Sequence, residues 1–184
     1  MSEKEMRIIA GKYRHRKIFV SLLDSIKPTK DRIREAIFSS LGDLSGLSFL
    51  DLYSGSGAMG LEAISRNASY VSFVDNSQVS ITAIKSNIKN LNISEKHDIF
   101  YLNDVDALKL FKERGDVFDI IYLDPPYAFT SYNEVIDLIL DNEILSSHGI
   151  IIVESNKILS FNLEKFSKSK TTHYGEIYVT YLWR

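Results

Sequence analysis

Four consecutive residues, Asp124-Pro125-Pro126-Tyr127, combine one carboxylate, one aromatic face and backbone carbonyls that no helix can consume. They directly follow the apolar run Phe118-Asp119-Ile120-Ile121-Tyr122-Leu123, which reads as a buried strand of a parallel sheet. Two prolines after such a strand end its ladder and keep the backbone extended. The groups left at this rim suit a planar base held by its amino group: acceptors for its N–H bonds and a ring to stack on it. Asp124, Pro125, Pro126 and Tyr127 are therefore the candidate catalytic residues. After a loop the same tetrapeptide would be a turn; after a hydrophobic strand it marks a site.

About seventy residues upstream lies Asp51-Leu52-Tyr53-Ser54-Gly55-Ser56-Gly57-Ala58-Met59-Gly60, following a strand and opening a helix. Gly55, Gly57 and Gly60 spell GxGxxG, with Asp75 twenty residues beyond the first glycine. That spacing is shared with dinucleotide sites, so the loop alone does not choose a cofactor. Glycines allow close backbone approach to a ligand, and an acid ending the next strand accepts hydrogen bonds from ribose hydroxyls. Asp51 favours S-adenosylmethionine: its carboxylate would attract a cationic amino-acid end and sit poorly beside a pyrophosphate. Asn103-Asp104 ends a third strand, where it would meet an adenine edge, and Asp124-Tyr127 ends a fourth. The candidate cofactor residues are Asp51, Tyr53, Gly55, Gly57, Gly60, Asp75, Asn76, Asn103 and Asp104. Each has a plainer reading: Asp51 or Asp75 as a turn residue, Asn103-Asp104 as a helix cap. Their coincidence at the carboxyl ends of successive strands favours the site.

The elements that must position these groups alternate. Strands are predicted at Ser48–Leu52, Tyr70–Asp75, Asp98–Leu102, Phe118–Leu123 and Gly149–Glu154, with helices near 58–66, 77–91, 105–114 and 132–141. This alternation implies an α/β fold, a mostly parallel sheet with helices on both faces joined by right-handed crossovers. Lys165–His173 and Glu176–Trp183, split by Tyr174-Gly175, read as a closing antiparallel hairpin. At the other end, Arg7–Gly11 and Lys17–Val20 flank a basic turn as a second hairpin. A helix then runs to about Leu41, with Thr29 as its N-cap and Ile33, Ile37, Phe38 and Leu41 on one face. A soft boundary near residue 45 separates an N-terminal extension, 1–44, from the body, 45–184.

The chain has 184 residues, 45% of them hydrophobic, which suits one well-buried domain. No apolar run approaches a membrane span, and Met1-Ser2-Glu3-Lys4-Glu5 lacks a signal peptide's apolar stretch. The absence of cysteine excludes disulfides and thiolate chemistry and suits the cytoplasm. His15, His97, His148 and His173 show no ligand spacing, so no metal is expected. The net charge of −2 conceals an asymmetry: residues 1–34 hold ten Lys or Arg against four acids, a balance of +6. A basic arm on an acidic body is either a solvated surface or a polyanion-facing one, and a base-handling motif favours the second. The candidate nucleic-acid-contacting residues are Arg7, Arg14, His15, Arg16, Lys17, Thr29, Arg32 and Arg34, acting through phosphates.

With those residues in place, the sequence resembles the RsmD family, bacterial enzymes that methylate a guanine N2 amino group in small-subunit ribosomal RNA. The resemblance spans about Arg7 to Arg184. It rests on Arg7-Ile8-Ile9-Ala10-Gly11 with Arg14 and Arg16, on Lys27-Pro28-Thr29-Lys30-Asp31-Arg32-Ile33-Arg34-Glu35, and on Gly55 through Ala63. Asn103-Asp104, Asp124-Pro125-Pro126-Tyr127 and Val153-Glu154-Ser155 complete it. It implies a Rossmann-like class I methyltransferase fold: a seven-stranded sheet with a C-terminal antiparallel hairpin, carrying a small basic N-terminal hairpin and helix. It further implies S-adenosylmethionine as cofactor and 16S rRNA, in the small subunit or its assembly intermediate, as partner of a monomer. Lys27 and Lys30 stand where the family often has Arg and Thr; Asp75 replaces a more usual Glu and Tyr53 a common Phe. Three other readings remain: an N6-adenine nucleic-acid methyltransferase, a non-catalytic S-adenosylmethionine-binding assembly factor, and an NAD-dependent oxidoreductase resting on the glycine loop alone.

Overall fold

A computed structural model describes residues 4–20 and 31–184. Their elements run β1 (Lys4–Arg7), β2 (Lys17–Val20), α1 (Asp31–Leu41), β3 (Ser48–Asp51), α2 (Ala58–Ser65), β4 (Tyr70–Asp75) and α3 (Gln78–Leu91). They continue through β5 (His97–Tyr101), α4 (Asp104–Arg114), β6 (Phe118–Leu123), α5 (Tyr132–Asp141), β7 (Leu145–Ser155), β8 (Lys168–Tyr174) and β9 (Ile177–Trp183). The body is one seven-stranded sheet in the order β5-β4-β3-β6-β7-β9-β8. The five strands from β5 to β7 in that order are mutually parallel, and β9 runs antiparallel between β7 and β8. This is the class I methyltransferase arrangement. Strand order reverses between β3 and β6, the place where open α/β sheets bind ligands at their carboxyl edge.

Strands buried on both faces explain why β6 is apolar almost without interruption. One core lies between the sheet and α1, α2, α3 and the N-terminal hairpin; the other lies under α4 and α5. Met6, Ile8, Tyr13 and Ile18 of the extension sit in the first core beside Phe49, Leu61 and Phe73 of the body. Packing is therefore continuous across residue 45. α2 is buried on every side, as a helix between a sheet and a covering layer must be.

The N-terminal hairpin pairs Lys4–Arg7 with Lys17–Val20, not Arg7–Gly11. Pairing reaches Ile8, whose amide donates to the Arg16 carbonyl at 2.9 Å. Beyond it the chain leaves the ladder because the body offers better acceptors: the Ile9 and Ala10 amides donate to the Glu62 carboxylate at 2.8 and 3.0 Å. Gly11 follows at φ +81, and a Cβ there would stand 1.8 Å from the Ser65 carbonyl oxygen. That carbonyl accepts the Lys12 amide at 2.8 Å, and Ser65 Oγ accepts the Tyr13 amide at 2.9 Å. The loop is thus clamped onto the end of α2. Thr29, expected to cap α1, lies outside the described residues.

Other boundaries move slightly. β5 begins at His97 and ends at Tyr101; β7 starts four residues early, at Leu145; and β8 starts at Lys168, after a single 3₁₀ turn at Leu163–Lys165.

Candidate active site

The carboxyl ends of β3, β4, β5, β6 and β7 open into one cavity of about 600 Å³, within the range that holds cofactor-sized ligands. Its lining follows the sheet order. Asp75, Asn76, Leu102, Asn103 and Asp104 lie at the β4–β5 end; Asp51 through Ser56 lie in the middle; and Asp124–Phe129 and Glu154–Asn156 lie toward β6 and β7.

The glycine loop is built by local bonds. Ser54 Oγ donates to the Asp51 carbonyl at 2.7 Å and accepts the Val74 amide at 2.9 Å, tying the end of β3 to β4. Gly55 (φ +52) donates its amide to Asp75 Oδ2 at 2.8 Å, while Asp75 Oδ1 accepts the Ser77 amide at 2.9 Å. Asp75 therefore fixes the loop and lines the cavity at once. Asp51 is 1% exposed, and its Oδ2 accepts the Gly60 amide at 3.0 Å. Burial pushes its carboxyl up to about 7, the Gly60 amide working against that rise and the Asp75 charge with it.

Gly57 and Gly60 do not line the cavity. Gly57 takes φ +81 at the N-terminus of α2 and faces Ile84 and Phe73. A Cβ on Gly60 would stand 2.2 Å from Phe73 Cε1, so this glycine lets α2 lie against β4. Both glycines pack beneath the loop, against side chains of β4 and α3. Asn103 caps α4, its side chain accepting the Asp106 amide at 2.8 Å, and still borders the cavity. Tyr53 donates to Asp104 Oδ2 at 2.7 Å and meets Phe129 edge-on, with centroids 5.6 Å apart. Burial first and Asp104 second push the Tyr53 hydroxyl far above its ordinary range, so it stays a donor.

Asp124-Pro125-Pro126-Tyr127 forms the rim over β6. Pro125 is buried, Asp124 half-buried, and Tyr127 exposes 53% of its surface at the mouth. The Pro126 carbonyl accepts the Phe129 amide at 2.8 Å, which turns the chain back toward α5. The Tyr132 hydroxyl beneath is held above its usual range by burial and then by the Asp124 charge.

Of the basic residues expected to meet RNA, Arg7, Arg14, His15, Arg16, Lys17 and Arg32 are exposed. Arg16 Nη2 donates to the Asn90 carbonyl at 3.0 Å, and Arg7 lies 3.7 Å from Asp31. Arg34 is fully buried, and that removes it from the RNA-facing set. Its Nη2 donates to the Arg7 carbonyl at 2.6 Å and to Asp31 at 3.1 Å, and its Nε lies 3.6 Å from Glu62.

Three further residues matter to the site. Glu154, 5% exposed on β7, lines the cavity and accepts the Tyr122 hydroxyl at 2.7 Å. Asn87, fully buried on α3, accepts the Phe19 amide at 2.9 Å and donates to the Ser56 carbonyl at 3.1 Å, bridging hairpin and glycine loop. Ser54 is the third. Position within Val153-Glu154-Ser155 at a strand end pointed toward the first; no local pattern marks the other two.

Known proteins resemble this chain over nearly its whole length. A family model described as conserved hypothetical protein 95 matches residues 6–183. Ribosomal RNA small subunit methyltransferase D of Haemophilus influenzae is 35% identical over 155 residues, covering 83% of this chain and 80% of its own. The protein of the same name from Escherichia coli K12 is 33% identical over 152 residues, covering 82% and 75%. Among solved structures, a hypothetical protein of Thermus thermophilus superposes with a TM-score of 0.84 at 26% identity, covering 96% and 98%. The T. thermophilus 16S rRNA N2 G1207 methyltransferase, in complex with AdoMet and guanosine, shares the fold at a TM-score of 0.73 and 22% identity. This chain is covered in full there, and half of that one.

Proposed function

Since the chain belongs to the family described as conserved hypothetical protein 95, the RsmD family, we propose that it transfers a methyl group from S-adenosylmethionine to the exocyclic N2 of a guanine in 16S rRNA of the small ribosomal subunit. One observation carries this reading: a single cavity runs along the sheet edge from the Asp75 carboxylate past Asp51 to the Asp124–Tyr127 rim.

The residues fit the cofactor. Asp75 serves ribose hydroxyls, Leu102 and Asn103 an adenine, and Asp51 an α-ammonium group, a reading supported by their shared position on the cavity lining. A carboxyl held near 7 by burial is one that a bound cation returns to its charged form. When bound, S-adenosylmethionine supplies an electrophilic methyl on sulfur. Asp124 and the Pro125 carbonyl accept the two N–H bonds of the target amino group, directing its lone pair and stabilising positive charge as it develops on nitrogen. No strong base is required, because the proton becomes acidic once the nitrogen is alkylated. Tyr127 stacks on the base, a contact of about 1–3 kcal/mol in single-strand binders. The guanine must leave its stack to reach this rim.

The exposed cations Arg7, Arg14, Arg16, Lys17 and Arg32, with His15, meet RNA phosphates. The enzyme acts as a monomer in the cytoplasm, on the subunit or its assembly intermediate. Among the described residues, no helix is long and apolar enough to cross a membrane.

The test is tritiated methyl transfer to bulk rRNA, small subunits from a strain lacking this gene, duplex DNA and protein, followed by digestion to nucleosides. Label in N2-methylguanosine from the small subunit is the expected result. Label in N6-methyladenine overturns the substrate, and binding without transfer marks an assembly factor.

A further inference from the structure

The cavity extends past the catalytic rim to a second carboxylate with no role in the mechanism above. Glu154 follows Val153, which pairs with Leu123 of β6, so it lies on the strand next to the one that leads into Asp124, neighbouring strands being about 4.8 Å apart. It follows Ile152, whose side chain belongs to the core beneath the N-terminal hairpin, by two residues. Strand alternation therefore turns Glu154 to the same face as Tyr122, Met6 and Ile177. All four line the cavity. The Tyr122 hydroxyl donates to Glu154 Oε2 at 2.7 Å and orients the group. A carboxylate offers about four lone-pair sites and so can accept from more than one donor at once.

Carboxylates complement donors. Guanine presents N1–H and the N2 amino group side by side on one edge; adenine presents an unprotonated N1 beside its amino group. On the N2-guanine reading, on which this inference rests, a base whose amino nitrogen lies at Asp124 turns its neighbouring ring nitrogen toward β7. We propose that Glu154 is the guanine-selecting residue, its carboxylate accepting the N1–H of the target base between walls supplied by Met6 and Ile177. Adenine in the same pose sets its N1 lone pair against that carboxylate and is rejected by repulsion as well as by a missing bond. Selection of the base thus lies on β7, one strand away from the chemistry on β6.

The alternative is that Tyr122–Glu154 is only a buried hydrogen bond joining β6 to β7. Nucleobase preference separates the two. The protein, saturated with S-adenosylhomocysteine, is titrated with 2-aminopurine riboside, which is fluorescent, keeps the 2-amino group and has no N1–H; guanosine is the competitor. Wild type is expected to prefer guanosine by about tenfold or more. Glu154→Gln, whose amide can donate to an unprotonated N1, is expected to lose that preference. It should also lower kcat/KM on small subunits by about 100-fold, with S-adenosylhomocysteine affinity and melting temperature unchanged. Glu154→Gln that retains the wild-type preference, or transfers within about threefold of wild type, overturns the proposal. Should Glu154→Gln not fold, Tyr122→Phe removes the orienting hydroxyl alone and is expected to narrow the preference by about threefold or more; an unchanged preference overturns the proposal equally. The transfer assay on wild type distinguishes the two levels. No N2-methylguanosine from wild type removes the functional reading and this inference together, whereas N2-methylguanosine from wild type and Glu154→Gln alike removes this inference only.

Discussion

Arg34 and Glu62 meet at 3.6 Å, Nε to Oε2, with neither side chain exposed to solvent. Glu62 also pairs with Arg66 at 2.8 Å and accepts the Ile9 and Ala10 amides. One carboxylate thus joins α1, α2 and the N-terminal hairpin. Removing it leaves a buried guanidinium without that counter-charge, a loss of about 3–5 kcal/mol. Glu62→Ala should therefore unfold at far lower urea than wild type. A midpoint close to wild type would mean that the hairpin docks by apolar contacts alone.

If Asp51 meets the cofactor's ammonium group as proposed, it should make cofactor binding depend on pH. Its folded-state value of about 7 lies above the ordinary 3.8. Between those values the folded state holds a proton that the unfolded state has lost, so this residue's contribution to apo stability falls as pH rises from about 4 to 7. Affinity for a cationic amino-acid end runs the opposite way. S-adenosylhomocysteine should bind about tenfold more tightly at pH 8 than at pH 6, following ionisation of one group near 7. Asp51→Asn should bind weakly, show a flat pH profile, and gain apo stability relative to wild type as pH rises. Calorimetric titration at the two pH values checks the affinities, and urea melts check the stability.

On the proposed function Asp124 acts on the target amino group, and Asp75, which lines the β4–β5 end of the same cavity, serves the ribose. Asp124→Ala should lower kcat by about 100-fold or more while changing S-adenosylhomocysteine affinity by less than about threefold. Equal losses in both would show that Asp124 belongs to the cofactor site.

Gly60 is a packing residue beneath the loop. Gly60→Ala drives a methyl group into Phe73, itself fully buried, and should cost about 1–3 kcal/mol. Phe73→Leu in the same chain should recover part of that loss, a coupling that a double-mutant cycle measures. A collapse of cofactor affinity in a Gly60→Ala protein that melts normally would return Gly60 to the cofactor site.

The arm's cations should appear in the salt dependence of RNA binding. Arg14→Gln and Arg32→Gln are each expected to reduce the log–log salt slope by about 0.7, one phosphate contact apiece. Arg34→Gln should lower the melting temperature and leave the slope alone, because its guanidinium never reaches the surface. A slope indifferent to Arg14 and Arg32 would place RNA elsewhere on the protein.

What the sequence disclosed about this site depended on how far each residue's partner lies along the chain. Asp124-Pro125-Pro126-Tyr127 could be read because its context, the apolar strand β6, immediately precedes it. Asp75 and Asn103 were legible as strand-end groups for the same reason. The packing role of Gly60 was not legible because the group that needs its missing side chain, Phe73, lies thirteen residues on, across a helix and a turn. Arg34 looked like one more cation of a basic arm; its fate is decided by Glu62, twenty-eight residues away. Ser54 and Asn87 carry no local signal, since each works by joining backbone segments that only the folded sheet brings together. The fold class followed from the alternation of apolar runs, whereas the edges of the first hairpin did not, because Ile9 and Ala10 give their amides to a helix and leave the strand unpaired there.

On the proposed function, the clamp of Gly11, Lys12 and Tyr13 on Ser65 turns the basic arm into a ruler. Held at the end of α2, whose other end meets the glycine loop, the arm's cations stand at a set distance from the catalytic rim. An RNA that offers its phosphates to them presents to the rim only nucleotides lying that same distance away. Target choice then has two independent parts: the chemistry at the rim reads the base, and the rigid span between arm and cavity reads where in a folded RNA that base must be.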